Sequence, residues 1–369
     1  MVTAQPIPDP GPGEHARQRL YAAHTAAASF YRAQLRRCDT AAGYLRGRGL
    51  GALVTREYPW RVGYAPPGWR ALTEHLLAGG FTGDELLAAG LCARAPSGRL
   101  YDLFRDRVVF PIRDTSGQVL AFIGRPPADA VPDGVPKYLN SPDTAIYDKG
   151  ALLFGLAEQA DRVAAGWPPV LVEGPIDTIA VWLSYARTGP PGRVGLAPCG
   201  TALTAGQVAT AAALPGARHG GLTVAFDGDE AGRKAADRAF TLLGEHPCLN
   251  AWGVEMPAGD DPGALVGDPA GRARLRYLLG RGSARLLHLV LEHRLDRWLR
   301  RSPRLLAEIE GRWMYAQAVA PQLASRPAPE IMAAVEHLWR RADALAGTEP
   351  AGELLHALSL AVVEKIGRP

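Results

Sequence analysis

The chain has 369 residues, 47% of them hydrophobic and 21% charged, enough for two or three packed units and too apolar for a disordered chain. Its formal net charge of +4 permits a nucleic-acid partner without requiring one, since such a partner needs a local basic surface rather than a high total. Cys38, Cys92, Cys199 and Cys248 are scattered, with no C-x-x-C pair, so neither a zinc ribbon nor a disulfide framework is indicated and no zinc is expected.

The opening MVTAQPIPDPGPGEH has Pro and Gly where a signal peptide needs a basic start and an apolar run. Residues 1–14 are read as a flexible tail, and the protein as cytoplasmic with no membrane partner. From about 15 to 50 apolar residues recur at helical intervals, among them Leu20, Ala27, Phe30, Tyr31 and Leu35. A second helical stretch is predicted over roughly 70–90. The period then changes, and YDLFRDRVVFPIRD and GQVLAFIGR read as strands of a hairpin. From 166 the strands PPVLVE, RVGLAPC, LTVAFD and CLNAWGVEM alternate with the helices IDTIAVWLSYAR, LTAGQVATAAAL and EAGRKAADRAFTLLGE. Such a series implies a parallel sheet covered by helices. Beyond 280 the chain is expected to be helical to its end, with Leu, Val and Trp stripes that serve packing.

Asp227 and Asp229 flank one glycine at the end of LTVAFD, and D-G-D alone is ordinary turn chemistry. Placement changes that reading, because Glu173 also ends a strand and ligands of parallel sheets sit beyond the carboxyl ends. A calcium loop fails on register: the fifth and twelfth positions from Asp227 are Ala231 and Arg238. No G-K dipeptide exists for a P-loop, and EGPID stands where a dinucleotide fold needs G-x-G-x-x-G. VEGPID, FDGD and GDDPGALV are instead oxygen-only clusters at successive strand ends, a donor set suited to Mg²⁺ or Mn²⁺.

EGPID, the G-T of CGTALT, DGDEAGRKAA and DDPGALV resemble the TOPRIM domain of DnaG-type primases, type IA and II topoisomerases and some nucleases. Upstream, YLRGRGL, YAPPGW, LYDLFRDRVVFPIRDTSGQVLAFIGR and PKYLNSPDTAIYDKGALLFGL are similar to the RNA-polymerase core of DnaG-type bacterial primases, and the likeness covers about residues 17–275. The resemblance implies an α/β fold. A TOPRIM parallel sheet with flanking helices occupies 166–280, preceded by an α+β subdomain over 15–165 and followed by a helical region over 281–369.

Carried over by position, the resemblance makes Glu173, Asp227, Asp229 and Asp261 metal ligands, with Asp177 supporting the cluster, and Glu173, Asp227 and Asp229 the catalytic set. Arg125, Lys137, Asn140 and Lys149 match polar positions that face nucleotide phosphates and template. Arg105 and Arg107 are weaker matches, since alternation sends only one face of a strand into a groove. Tyr138 and Tyr147 suit either base stacking or core packing. The chain departs from the family pattern at Gly263, where Asp is usual, and at Ala42, where Arg is common. It also carries neither the preceding zinc ribbon nor an evident helicase-docking module.

The implied activity is a primase-like, DNA-directed RNA polymerase that makes or extends short RNA primers on single-stranded DNA from ribonucleoside triphosphates, by two-metal nucleotidyl transfer. A replicative helicase or a separate zinc-containing protein is a further implied partner. Two other readings stay open: a TOPRIM metal-dependent DNA nuclease, and a non-catalytic replication-accessory protein that binds single strands.

Overall fold

The first long apolar period becomes the helix Pro12–Leu35 in the structure, a computed structural model. It describes residues 12–366 except 56–58, 129–133, 187, 190, 201, 247 and 248, so the expected tail lies largely outside it, and residues 12–14 belong to the helix. The helical stretch expected to continue to residue 50 breaks after Leu35 and restarts as Asp39–Gly47, with Asp39 in its first turn where a carboxylate complements the helix dipole. The stretch expected over 70–90 is likewise two helices, Ala71–Ala78 and Gly83–Ala88. Gly80, at φ +83°, lets the chain leave the first, and a Thr82–Glu85 capping box starts the second.

The strands are β1 Gly63–Ala65, β2 Cys92–Arg94, β3 Leu100–Asp102, β4 Arg107–Arg113, β5 Val119–Arg125, β6 Leu139–Asn140, β7 Leu153–Phe154, β8 Pro169–Leu171, β9 Val194–Pro198, β10 Leu222–Val224, β11 Ala251–Gly253 and β12 Ala284–Arg285. Strands β1-β4-β5-β6 form an antiparallel sheet, and β2 and β3 pair separately. The β4–β5 turn is tied by Asp114, whose Oδ1 accepts from the Ser116 and Gln118 amides at 2.9 Å each. Both faces of this hairpin are buried. Val109 and Phe122 pack on the Pro12–Leu35 helix, where the Tyr31 and Phe122 rings meet edge-on at 5.3 Å. Val108, Phe110 and Ile123 join a different cluster together with Phe154, Val170, Val172 and Ile179.

That second cluster belongs to a six-stranded sheet in the order β12-β11-β10-β8-β9-β7. Strands β8, β9, β10 and β11 are parallel, as the alternation of strands and helices predicts, whereas β7 and β12 close the margins antiparallel. The chain leaves β8 for β9 on one side, then crosses to β10 on the other, so the topology reverses between β8 and β10. Such a reversal opens a crevice beyond the carboxyl ends of the two strands. After the short strand β12, which the expectation of an all-helical end did not include, the chain forms the helices Leu286–Arg301, Ile309–Ala324, Ala328–Ala346 and Thr348–Ile366. Their inner faces share one cluster with Leu222, Val224 and Phe240. Among the described residues, no helix is long and apolar enough to cross a membrane.

Candidate metal centre

Beyond β8 the chain passes through Glu173 into the helix Pro175–Ser184. Gly174 is its N-cap and Pro175 its first residue, a position where the missing N–H is an orphan anyway. A β-carbon on Gly174 would lie 2.9 Å from the Tyr138 ring, so a side chain here would push that ring off the turn. Asp177 sits in the first helical turn and is buried. Beyond the adjacent β10, the Asp227 amide donates to Glu173 Oε1 at 3.1 Å. Asp229 caps the helix Glu230–Leu243, its Oδ1 accepting from the Gly232 amide at 2.7 Å. Beyond β11, Asp261 caps the short helix Pro262–Leu265 and accepts from the Ala264 amide at 2.6 Å. The next residue but one, Gly263, turns its own amide onto Asp177 Oδ1 at 3.1 Å.

One carboxylate oxygen from each of Asp177, Asp227 and Asp261 lies within 4.8 Å of the others, and among the described residues this is the one such cluster able to hold a metal. Asp227 Oδ1 is buried without a hydrogen-bond partner, an arrangement that is costly unless a cation or water satisfies the oxygen. Burial, followed by the charges of Asp177 and Glu173, raises the Asp227 pKa. Asp177 is raised by burial and then by Asp261, and Glu173 mainly by burial. A hard divalent cation would relieve this repulsion through oxygen donors alone, so the residues fit such an ion. Asp177, expected only as a support, is thus a corner of the triad. Glu173 and Asp229, expected as ligands, stand at its margin, the first engaged by the Asp227 amide and the second by its cap.

Cations approach the triad from the antiparallel sheet. Lys137 Nζ lies 3.7 Å from Asp227 Oδ2. Arg125, buried at the end of β5, donates to the Tyr138 hydroxyl at 3.1 Å and stands 5.3 Å from the ring centroid. Arg107 is buried and donates to Pro136 O at 3.1 Å. Arg105 turns instead toward Trp69, with its guanidinium carbon 4.2 Å from that ring's centroid. Asn140 is half-buried in β6. Lys149 lies next to Gly200, past the end of β9, with Nζ 3.4 Å from Asp143. Tyr147 is a core residue whose hydroxyl donates to Cys199 O at 3.3 Å. Lys234 and Arg238 were missed by the sequence reading. Together with Glu173 they line a groove of about 320 Å³ beside the triad. Their i, i+4 spacing directly after FDGD places both on one helix face and was the available signal.

The chain is similar to DNA primases. The DNA primase catalytic core, N-terminal domain matches residues 30–160, and the Toprim-like family matches 170–266. The DNA primase of Pseudomonas putida is 39% identical over 253 residues, 67% of this chain and 36% of that protein. That of Deinococcus radiodurans is 38% identical over 266 residues, 70% of this chain and 43% of that protein. The chain therefore spans well under half the length of these relatives. A DNA primase domain from Pseudomonas aeruginosa superposes with a TM-score of 0.67 at 33% identity, over 91% of this chain and 99% of that one. The RNA polymerase domain of Mycobacterium tuberculosis primase DnaG in complex with double-stranded DNA gives 0.68 at 31% identity, over 90% and 99%. With the acidic crevice at the β8–β10 reversal and near-complete coverage of such domains, the chain belongs to the family of DnaG-type primase catalytic cores.

Proposed function

We propose that this chain is a DNA-directed RNA polymerase that synthesises or extends short RNA primers on single-stranded DNA. The observation that carries the reading is the triad of Asp177, Asp227 and Asp261 at the β8–β10 reversal, with Lys137 and Arg125 facing it from the neighbouring sheet. Solved relatives in complex with double-stranded DNA and bound to single-stranded DNA support a DNA template. When bound, Mg²⁺ or Mn²⁺ ions would supply charge neutralisation for phosphoryl transfer. The three aspartates, with Glu173 and Asp229 at their margin, hold that charge in place. Lys137 and Arg125 take the phosphates of the incoming ribonucleoside triphosphate or the template, with Asn140 and Lys149 as further polar contacts. Arg105 beside Trp69 offers a cation and an exposed ring to the strand. The unit over 166–280 thus supplies the metal ligands, and the unit over 15–165 supplies the groove. Initiation on bare template would draw on a separate zinc-containing or helicase-like partner.

The test is incubation of the protein with single-stranded DNA, ribonucleotides and Mg²⁺ or Mn²⁺, with and without an annealed RNA primer. New or extended RNA is expected, with extension the stronger. Shortened DNA without RNA would identify a nuclease instead, and neither product would leave a binding protein.

A further inference from the structure

The helix Pro175–Ser184 has a second end. Its first turn carries Asp177, and its last turn, about 10 Å away along the axis, forms one wall of a groove of about 860 Å³ between this helix, the loop after Asp39–Gly47 and the helix Pro269–Leu279. A volume of this size falls within the range of small-molecule sites. Arg46, Arg272 and Arg276 all line it, and no carboxylate does among the described lining residues. Half-buried Trp182, backed edge-on at 5.9 Å by the buried Trp60, supplies an aromatic wall.

Two of the three arginines are anchored to the backbone. Arg272 Nε donates to Val266 O at 2.9 Å, and Arg276 Nη1 donates to Ser184 O at 2.9 Å. Each bond fixes a guanidinium through one nitrogen. Among the described residues, no hydrogen bond or ion pair takes up the others or any nitrogen of Arg46. Three cations sharing one concave surface repel unless an anion joins them, and planar guanidinium forks bind phosphate oxygens bidentately. An aromatic and apolar wall beside a phosphate site suits a nucleobase.

We infer that this groove binds a nucleoside di- or triphosphate, at a place separate from the acidic triad and independent of the divalent cation held there. The probe is ADP, titrated calorimetrically into the full chain in excess EDTA, with inorganic pyrophosphate as the second arm. ADP is expected to bind at one site, more tightly than pyrophosphate. Arg46→Ala and Arg272→Ala should each weaken ADP by about tenfold or more, the size of one lost charge-assisted contact. Lys137→Ala, which removes a cation of the catalytic crevice, should leave ADP binding in EDTA unchanged, and Trp182→Leu should bring ADP down to the level of pyrophosphate. Melting curves check that each variant folds, and Arg46→Glu at an exposed position repeats the test if Arg272→Ala does not. The assignment is overturned by any of three results: no ADP binding in EDTA, binding indifferent to both arginine changes, or binding lost with Lys137→Ala. Displacement of ADP by a short single-stranded oligonucleotide, abolished by Arg46→Glu, would make this a nucleic-acid surface and overturn it as well.

Discussion

Lys137 and Asp227 face each other across the junction of the two sheets, Nζ 3.7 Å from Oδ2, and Lys137 remains 51% exposed there. An exposed ammonium paired with a carboxylate contributes about 1 kcal/mol or less to stability. Lys137→Ala should therefore leave the melting temperature nearly unchanged. It should still weaken nucleotide or single-strand binding, and the salt dependence of binding should become shallower because one fewer counterion is released. Fluorescence anisotropy at several salt concentrations tests this, and an unchanged slope would return Lys137 to ordinary surface.

Asp227 and Asp229 differ in what they do for the fold. Asp227→Asn removes a charge that burial and its neighbours disfavour, so without divalent ions the variant should be at least as stable as the parent. Nucleotidyl transfer should fall by about 100-fold or more, comparable to losing a principal electrostatic contact in a transition state. Mg²⁺ should raise the melting temperature of the parent by mass action but not that of the variant. Asp229→Ala should lose about 1 kcal/mol because its cap on Gly232 disappears, whereas Asp229→Asn retains a capping oxygen. Calorimetric melts with and without Mg²⁺, read beside primer-extension rates, separate the two residues.

At Gly263 a β-carbon would lie 2.6 Å from Ile176 Cγ2 and 3.2 Å from Asp177 Oδ1. The family's usual Asp is thus sterically excluded in this arrangement, and the glycine amide holds Asp177 instead. Gly263→Ala should cost about 1–3 kcal/mol, as overpacking does, and restoring Asp should not raise activity. An active and stable Gly263→Asp variant would show that the Pro262–Leu265 helix shifts freely.

His24 lies buried in the Pro12–Leu35 helix, its ring stacked on Phe122 at 5.9 Å with Nδ1 2.9 Å from Leu20 O. Burial pushes its pKa down to about 4, while the unfolded chain protonates near 6.5. The unfolded state therefore binds more protons between those values, and the stability tied to neutral His24 is lost as pH falls through that window. From pH 7 to pH 5 the loss is about 2 kcal/mol at about 1.4 kcal/mol per unit. Asp227, whose pKa is raised, acts in the opposite sense, since a folded state that takes up its proton earlier gains stability on acidification. The difference between parent and His24→Leu isolates the histidine: urea midpoints should converge at pH 5 relative to pH 7, and parallel pH profiles would refute it.

Much of the crevice was legible because its residues are local signals. VEGPID, FDGD and GDDPGALV each end a strand and begin a helix, so alternation alone brings Glu173, Asp227 and Asp261 to one edge of the sheet. The roles within the cluster were less legible. Asp177 and Asp229 are both first-turn or cap residues in the sequence, and what separates them is that the Gly263 amide holds Asp177 Oδ1, a contact between residues 86 positions apart. The split of the 70–90 stretch was readable in hindsight from Gly79-Gly80 and the Thr82–Glu85 box. Strand β12 was not, because two residues of edge pairing leave no periodic trace. The arginine groove draws Arg46, Arg272 and Arg276 from distant segments, and no local pattern joins them.

The shared cluster of Val108, Phe110 and Ile123 with Val170, Val172 and Ile179 has a thermodynamic corollary. The seam between the two sheets is a dry core rather than a linker, so neither sheet can melt without exposing the apolar face of the other. Unfolding of these two units should be a single cooperative transition. For the same reason the spacing between Arg125 and Asp177 is set by jigsaw packing and not by a hinge. Substrates would meet a crevice of fixed width, and any opening needed to release a growing duplex must come from the strand itself or from the periphery.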